Sequence, residues 1–336
     1  MNTFFKPVND TAAIEQLNKE LSADGGRTAV ISGCIDTQKV HISSAVSQNY
    51  KFMLVITSDE AKARNMCDDA AFFNREALYY PAKDAIFYSA DVTGNQITGQ
   101  RLKCISRLIE HIKAVDSKDG QDGGLLTLVT TIDGVSDRLV PLKRYMESVI
   151  TIDSTSEIDT EKLAKKMVQM GFTRTGMVED KGQFSIRGGI IDIFSYTDEA
   201  PVRIELWDTE VDSIRMFDAE SQRSIEKLKS YHIFPATEFL FTEEEKQAGL
   251  DKIRKERDEQ LECFDYGKRK RTQEQIEAGN NINKLVGDVE RTGNYSKFLD
   301  TIIKDTAGLI EYFPVEDTLI VLDEPNRLKE LSLIHI

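Results

Sequence analysis

Lys181-Gly182-Gln183-Phe184-Ser185-Ile186-Arg187-Gly188-Gly189-Ile190-Ile191-Asp192-Ile193-Phe194, followed after a short polar gap by Pro201-Val202-Arg203-Ile204-Glu205-Leu206-Trp207, decides how the middle of this chain folds. Polar and apolar side chains alternate in both runs, and residues two apart on a strand share one face. Phe184 and Ile186 therefore point the same way as Val202, Ile204 and Leu206, toward a core. Ser185, Arg187, Arg203, Glu205 and Trp207 point the other way. That second face carries arginines, a glutamate and the single tryptophan of the chain. Arginine and tryptophan are over-represented at the dominant positions of protein interfaces, because each covers a large area while keeping directional donors. The plainer reading of the same residues is a solvated face with Arg203 and Glu205 in weak cross-strand pairs.

Working outward, strands are expected at Gly176 to Glu179, Gln183 to Arg187, Ile190 to Phe194, Val202 to Trp207 and Val211 to Phe217, with turns at Gly182, Gly188-Gly189 and Asp208-Thr209. Upstream, Asp159 can cap a helix with Leu163, Met167 and Met170 on one face, and Gly171 supplies the left-handed residue that stops it. Residues 143–231 thus form an α+β domain with an antiparallel sheet.

The flanks have a different texture. Thr28 to Ile31, Met53 to Ile56 and Leu125 to Thr130 are short apolar or β-branched runs, as buried parallel strands look. Leu102, Ile105, Leu108, Ile109 and Ile112 recur between them at helical spacing, giving an α/β pattern over 1–142. Residues 232–336 are first helical and highly charged over Glu243 to Glu262 and Thr272 to Val289. They then supply one more buried strand, Thr318 to Leu322. Returning this strand to the first sheet makes the middle domain an insertion.

Two stretches of the flanks carry the marks of a nucleotide site. Ile31-Ser32-Gly33-Cys34-Ile35-Asp36-Thr37-Gln38-Lys39-Val40 has the length of a phosphate-binding loop leading into a helix. A working loop, G-x-x-x-x-G-K-[ST], needs a second glycine so that backbone N–H groups can curl around the phosphates, a lysine for their charge and a hydroxyl for Mg²⁺. Gly33 and Lys39 stand in register, but Gln38 occupies the second glycine and Val40 replaces the hydroxyl. Leu319-Ile320-Val321-Leu322-Asp323-Glu324 matches the apolar strand and acidic pair that would place Mg²⁺ and an attacking water. Either stretch alone could be a polar strand end. In this order, the two point to a degenerate P-loop NTPase-like parallel-sheet domain split by the insertion.

No other catalytic constellation is present: there is no H-E-x-x-H, no G-x-S-x-G and no histidine beside a nucleophile. Cys34, Cys67, Cys104 and Cys263 form no C-x-x-C pair and the four histidines are isolated, so neither a disulfide framework nor a metal site is expected. The net charge of −14 disfavours autonomous binding to a phosphate backbone and makes a protein the better first partner. Lys268-Arg269-Lys270-Arg271 interrupts this acidity and reads as a solvated turn or helix face rather than a nucleic-acid patch. Without a secretory signal or a long apolar run, a soluble, cytoplasmic protein is expected.

The residues from Gly171 through Val211-Asp212-Ser213-Ile214-Arg215-Met216-Phe217-Asp218 and on to Ser221-Gln222-Arg223-Ser224 resemble the UvrB-homology region at the N-terminus of bacterial transcription-repair coupling factors. The likeness extends over most of the chain, including Tyr79 to Asp84 and Tyr312 to Pro325. It implies a split nucleotide-hydrolase-like domain with an inserted, UvrB-type domain that binds UvrA. It also implies that this segment lacks ATPase function and the DNA-clamping hairpin of UvrB, for which the stretch from Tyr79 to Arg101 leaves little room. Full-length members continue into a region that engages RNA polymerase and an ATP- and Mg²⁺-using translocase on double-stranded DNA, so this segment is expected to be a fragment that needs no cofactor. Carried over position by position, the UvrA contacts fall on Arg174, Arg187, Arg203 and Glu205, with Trp207 on the same face. Ser185 stands where UvrB has a further arginine. The function so implied is a non-catalytic adaptor that recruits UvrA to stalled transcription complexes for nucleotide excision repair. The alternatives are an active UvrB-like ATPase or DNA helicase subunit, and direct recognition of damaged DNA.

Overall fold

A computed structural model describes residues 3–21, 28–74, 76–83, 91–116, 124–264, 273–292, 295 and 298–334. The chain divides into two compact units, one made of 1–137 with 309–336, the other of 138–308.

In the first unit, strands β1 (Phe52–Thr57), β2 (Glu76–Tyr80), β3 (Leu126–Thr131) and the last strand of the chain, β12 (Thr318–Leu322), form a parallel sheet in the order β12-β1-β3-β2. Every residue of β1 and β3 is buried, as a parallel strand covered on both faces must be. Met53, Val55 and Val129 pack on one side against Ala63, Met66 and Ala70 of the helix Glu60–Phe73. Phe52 faces the other side, where it meets His111 of the helix Asp91–Asp116 edge-on at 4.9 Å between ring centroids. Burial presses the His111 imidazole below its ordinary pKa, its hydrogen bond to the Lys51 carbonyl working the other way. The pairing of Met53 with Leu319 and Val55 with Val321 returns the chain to this sheet after the whole second unit.

One expected strand does not form. Thr28 to Ile31 is irregular, and its apolar side chains face solvent, with Val30 84% and Ile31 51% exposed. A strand is stable only where neighbours take up its backbone groups and cover its side chains. Among the described residues, no strand lies beside this run.

The second unit holds a two-stranded sheet, β4 (Ile150–Asp153) with β11 (Ser230–Ile233), and a six-stranded sheet. The larger sheet runs β10-β9-β8-β7-β6-β5, from β5 (Thr173–Arg174), β6 (Gln183–Arg187), β7 (Ile190–Phe194), β8 (Val202–Trp207) and β9 (Glu210–Phe217) to β10 (Ser224–Lys227). Its inner face, built from Phe184, Ile191, Ile193, Val202, Ile204, Val211 and Ile214, packs on Leu163, Ala164 and Met167 of the helix Thr160–Gln169. Asp159 caps that helix, accepting from the backbone N–H groups of Glu161 and Lys162. Gly171 ends it at φ +88°, where a Cβ would also sit 2.6 Å from Cβ of Thr237.

The strand expected over Gly176 to Glu179 is a loop, and the chain pairs instead through Thr173–Arg174. Local side chains hold the backbone that a ladder would have used. Ser185 Oγ donates to the Gly176 carbonyl, Thr175 Oγ1 to that of Met177, and Gln183 Oε1 accepts from the N–H groups of Glu179 and Asp180. The charged region is helical over Glu243–Phe264 and Gln273–Thr292. The basic run Lys268 to Arg271 and part of the Tyr79 to Arg101 stretch lie outside the described residues. No helix among the described residues is long and apolar enough to cross a membrane.

Candidate functional site

The outer face of the six-stranded sheet is ordered by one buried carboxylate. Asp192 sits in the middle of β7, opposite Ser185 on β6 and Arg203 on β8, and is 1% exposed. A carboxylate this deep is tolerable only if its oxygens are taken up by charged donors. Arg203 supplies two, Nε to Oδ1 at 2.6 Å and Nη2 to Oδ2 at 2.9 Å, and Arg187 supplies a third, Nη2 to Oδ2 at 2.7 Å. Such charge-assisted, paired bonds are roughly twice as strong as neutral ones.

The two arginines differ in what is left over. Arg203 also donates to Gln222 Oε1 at 2.8 Å and stacks its guanidinium 4.3 Å from the ring centre of Phe217, leaving its side chain 11% exposed. The Arg187 side chain is 46% exposed. In the next row, Glu205 accepts from Arg215 at 2.6 Å and from the Ser213 hydroxyl at 2.7 Å. A bulge follows between Glu205 and Leu206. Beyond it Trp207 is 80% exposed, in front of the turn where Asp208 takes φ +58°. Arg174 lies exposed on the two-residue edge strand β5.

The expected outward set of Ser185, Arg187, Arg203, Glu205 and Trp207 is therefore on one sheet face, with Ser185 buried there at 1% exposed and bonded to the Gly176 carbonyl. Asp192, Arg215, Ser213 and Gln222, which tie it together, were not singled out from the sequence. The available signal was an acidic residue inside the apolar strand Ile-Ile-Asp-Ile-Phe, directly across from an arginine.

The loop at Gly33 is closed on itself. The helix Asp36–Val46 starts after Ile35, and the Gln38 side chain turns back to accept from the Ile35 N–H at 3.3 Å. Lys39 Nζ lies 2.9 Å from Asp36 Oδ1 and 2.9 Å from Asp323 Oδ1. A second cation, Lys62, stands 2.8 Å from Asp323 Oδ2, an ionic contact rather than a well-angled hydrogen bond, and 3.2 Å from Glu324 Oε2. Burial works to raise the Asp323 pKa, but Lys39 and Lys62 outweigh it and hold the carboxyl below its ordinary range. The same contacts with Asp323 and Asp36 hold the Lys39 ammonium above its ordinary value. Val40 is 3% exposed and packs with Met53, Val55 and Val129, so its side chain is part of the core. Lys62 had no motif to announce it, since it enters from the first turn of another helix, behind the cap at Asp59.

Residues 150–239 match the family model of the UvrB interaction domain. That span runs from β4 past β11 and contains the whole six-stranded sheet, so this part of the second unit is similar to the class of UvrB interaction domains. The chain is 32% identical over 348 aligned positions to the transcription-repair-coupling factor of Bacillus subtilis (strain 168), covering 99% of this chain and 27% of that protein. To the transcription-repair-coupling factor of Staphylococcus aureus (strain Mu50 / ATCC 700699) it is 28% identical over 309 positions, covering 91% of this chain and 25% of that protein. Along nearly its whole length the chain is similar to transcription-repair-coupling factors, and it spans about a quarter of the length of these curated relatives.

Proposed function

We propose that this chain is a non-catalytic adaptor that recruits UvrA to stalled transcription complexes for nucleotide excision repair, through the outer face of the sheet in its inserted domain. The observation that carries the reading is that face itself. It matches a UvrB interaction domain and presents an arginine half open to solvent, a supported glutamate and a tryptophan that is 80% exposed. In this reading 143–231 is the UvrA-binding domain. Arg174, Arg187, Arg203, Glu205 and Trp207 form its docking face, and 1–142 with 232–336 serve as a degenerate P-loop NTPase-like scaffold.

The scaffold role is supported at the Gly33 loop. A triphosphate needs Lys39 free and a hydroxyl next to it, whereas Lys39 is neutralised by Asp36 and Asp323 and Val40 is turned into the core. ATP and Mg²⁺ then belong to translocase domains outside this chain, as do contacts with RNA polymerase and double-stranded DNA, and the place of action is the cytoplasm. Capture of UvrA on the immobilised chain tests the reading. Arg187→Ala and Trp207→Ala should each reduce capture severalfold, and retention of UvrA at the parent level by both would end it. ATP turnover by the isolated chain that disappears in Lys39→Ala would favour the ATPase reading instead.

A further inference from the structure

We infer that Asp192 is a positioning residue for docking, holding Arg187 in the orientation in which it meets the partner, and that within this face Arg203 serves mainly as buried support. The inference rests on the docking face proposed above.

The geometry separates the two arginines. Arg203 spends Nε and Nη2 on Asp192 and Gln222, and one face of its guanidinium on Phe217. With 11% of its side chain exposed, it has little left to offer a second protein. Arg187 is tethered by a single bond, Nη2 to Asp192 Oδ2 at 2.7 Å, with almost half of its side chain in solvent. A guanidinium has five N–H donors in a rigid fork with two double-donor edges, Nε with Nη2 and Nη2 with Nη1, each using a different Nη2 hydrogen, so a tether at Nη2 leaves one edge whole for a planar, two-oxygen acceptor. The complementary group on the partner is therefore a carboxylate.

Asp192 also sets the charge. Its one negative charge serves two guanidinium groups, so the cluster presents a net positive charge, and the exposed member of that cluster is Arg187. A free arginine on a sheet surface samples many rotamers and loses that freedom on binding. A pre-tethered one does not, which is how a residue that never touches the partner strengthens the contact.

The experiment is a double-mutant cycle read by calorimetric titration of the whole chain with UvrA, using the parent, Asp192→Asn, Arg187→Ala and the double variant. Asp192→Asn should raise Kd about two- to tenfold, the cost of ordering one rotamer-rich side chain. In the Arg187→Ala background the same change should have no further effect, since its route is gone. A purely structural role predicts an equal loss in both backgrounds, and that result, or parent-like binding by Asp192→Asn, overturns the inference. Parent-like binding by Arg187→Ala would overturn the inference alone, and parent-like binding by both Arg187→Ala and Trp207→Ala would overturn the docking face as well. Should Asp192→Asn fail to fold, nitrogen relaxation of the guanidinium groups in the parent decides. Arg187 should be markedly more ordered than Arg174, and equal mobility of the two overturns the inference.

Discussion

Lys39 on the helix Asp36–Val46 and Asp323 after β12 are 284 residues apart in sequence and meet at 2.9 Å, the lysine filling with its own ammonium the space beside the carboxylate. The contact closes the loop at Gly33 and ties the returning strand to the amino-terminal part of the sheet.

Lys39→Met leaves Asp323, whose side chain is 2% exposed, with Lys62 as its remaining cation. We expect a loss of about 1–3 kcal/mol at neutral pH, less than for a fully buried pair because Lys39 is partly solvated. The folded-state pKa of Asp323 is depressed, so its contribution is present above the unfolded carboxylate value, near ~4, and is lost as pH falls through the lower folded value. Urea unfolding at pH 7 and at pH 3 should show the gap between parent and variant narrowing at the lower pH. An unchanged gap would contradict this assignment.

Val40→Thr places a hydroxyl in the core beside Met53 and Val55. The expected loss is about 1–2 kcal/mol, because the site offers apolar neighbours in place of water. Combining it with Gln38→Gly restores the phosphate-loop pattern on paper, yet Lys39 stays engaged by Asp36 and Asp323. The double variant should release no phosphate from ATP above the parent's background.

Trp207 can report on docking directly, being the only tryptophan in the chain and 80% exposed. Its emission should move to shorter wavelength when UvrA is added, as water leaves the indole. Trp207→Ala should alter stability by less than about 0.5 kcal/mol while weakening UvrA capture by about 1–3 kcal/mol. An emission maximum that stays fixed at saturating UvrA would place the tryptophan outside the interface.

Gly189 is held by space. A Cβ there would lie 2.8 Å from the Leu206 carbonyl oxygen, while the Gly189 carbonyl accepts from the Leu206 N–H at 2.8 Å. Gly189→Ala must push the start of β7 away from β8 beside the Ile190–Glu205 pair, at a cost of about 1–3 kcal/mol. A thermal melt within one degree of the parent's would show that the strands yield without cost.

The central strands were legible because two signals agreed. Side chains alternate cleanly from Gln183 to Trp207, glycines or Asp208-Thr209 mark the turns, and the face assignment follows, with Phe184 and Ile204 at 0% exposed and Trp207 at 80%. Thr28 to Ile31 has the composition of a strand, but composition cannot supply a neighbour. The edge at Thr173–Arg174 is too short for a pattern, and the side-chain bonds that turn Gly176 to Glu179 into a loop are invisible until Ser185 and Gln183 are placed beside them. At the outer face the residue types were readable and their division of labour was not. Nothing in the order of residues says that Arg203 is consumed by Asp192 and Gln222 while Arg187 is left half open.

The parallel pairing of β1 with β12 fixes the order in which a ribosome can deliver this fold. β1, β2 and β3 emerge together, but the strand that seals the β1 edge follows only after residues 138–308 have been made, on the order of tens of seconds later at ordinary elongation rates. Through that interval the edge of a strand that is buried throughout in the finished fold stands open to other nascent chains. Yield in the cell should therefore depend on how quickly the intervening unit is synthesised and on whether a chaperone covers that edge meanwhile.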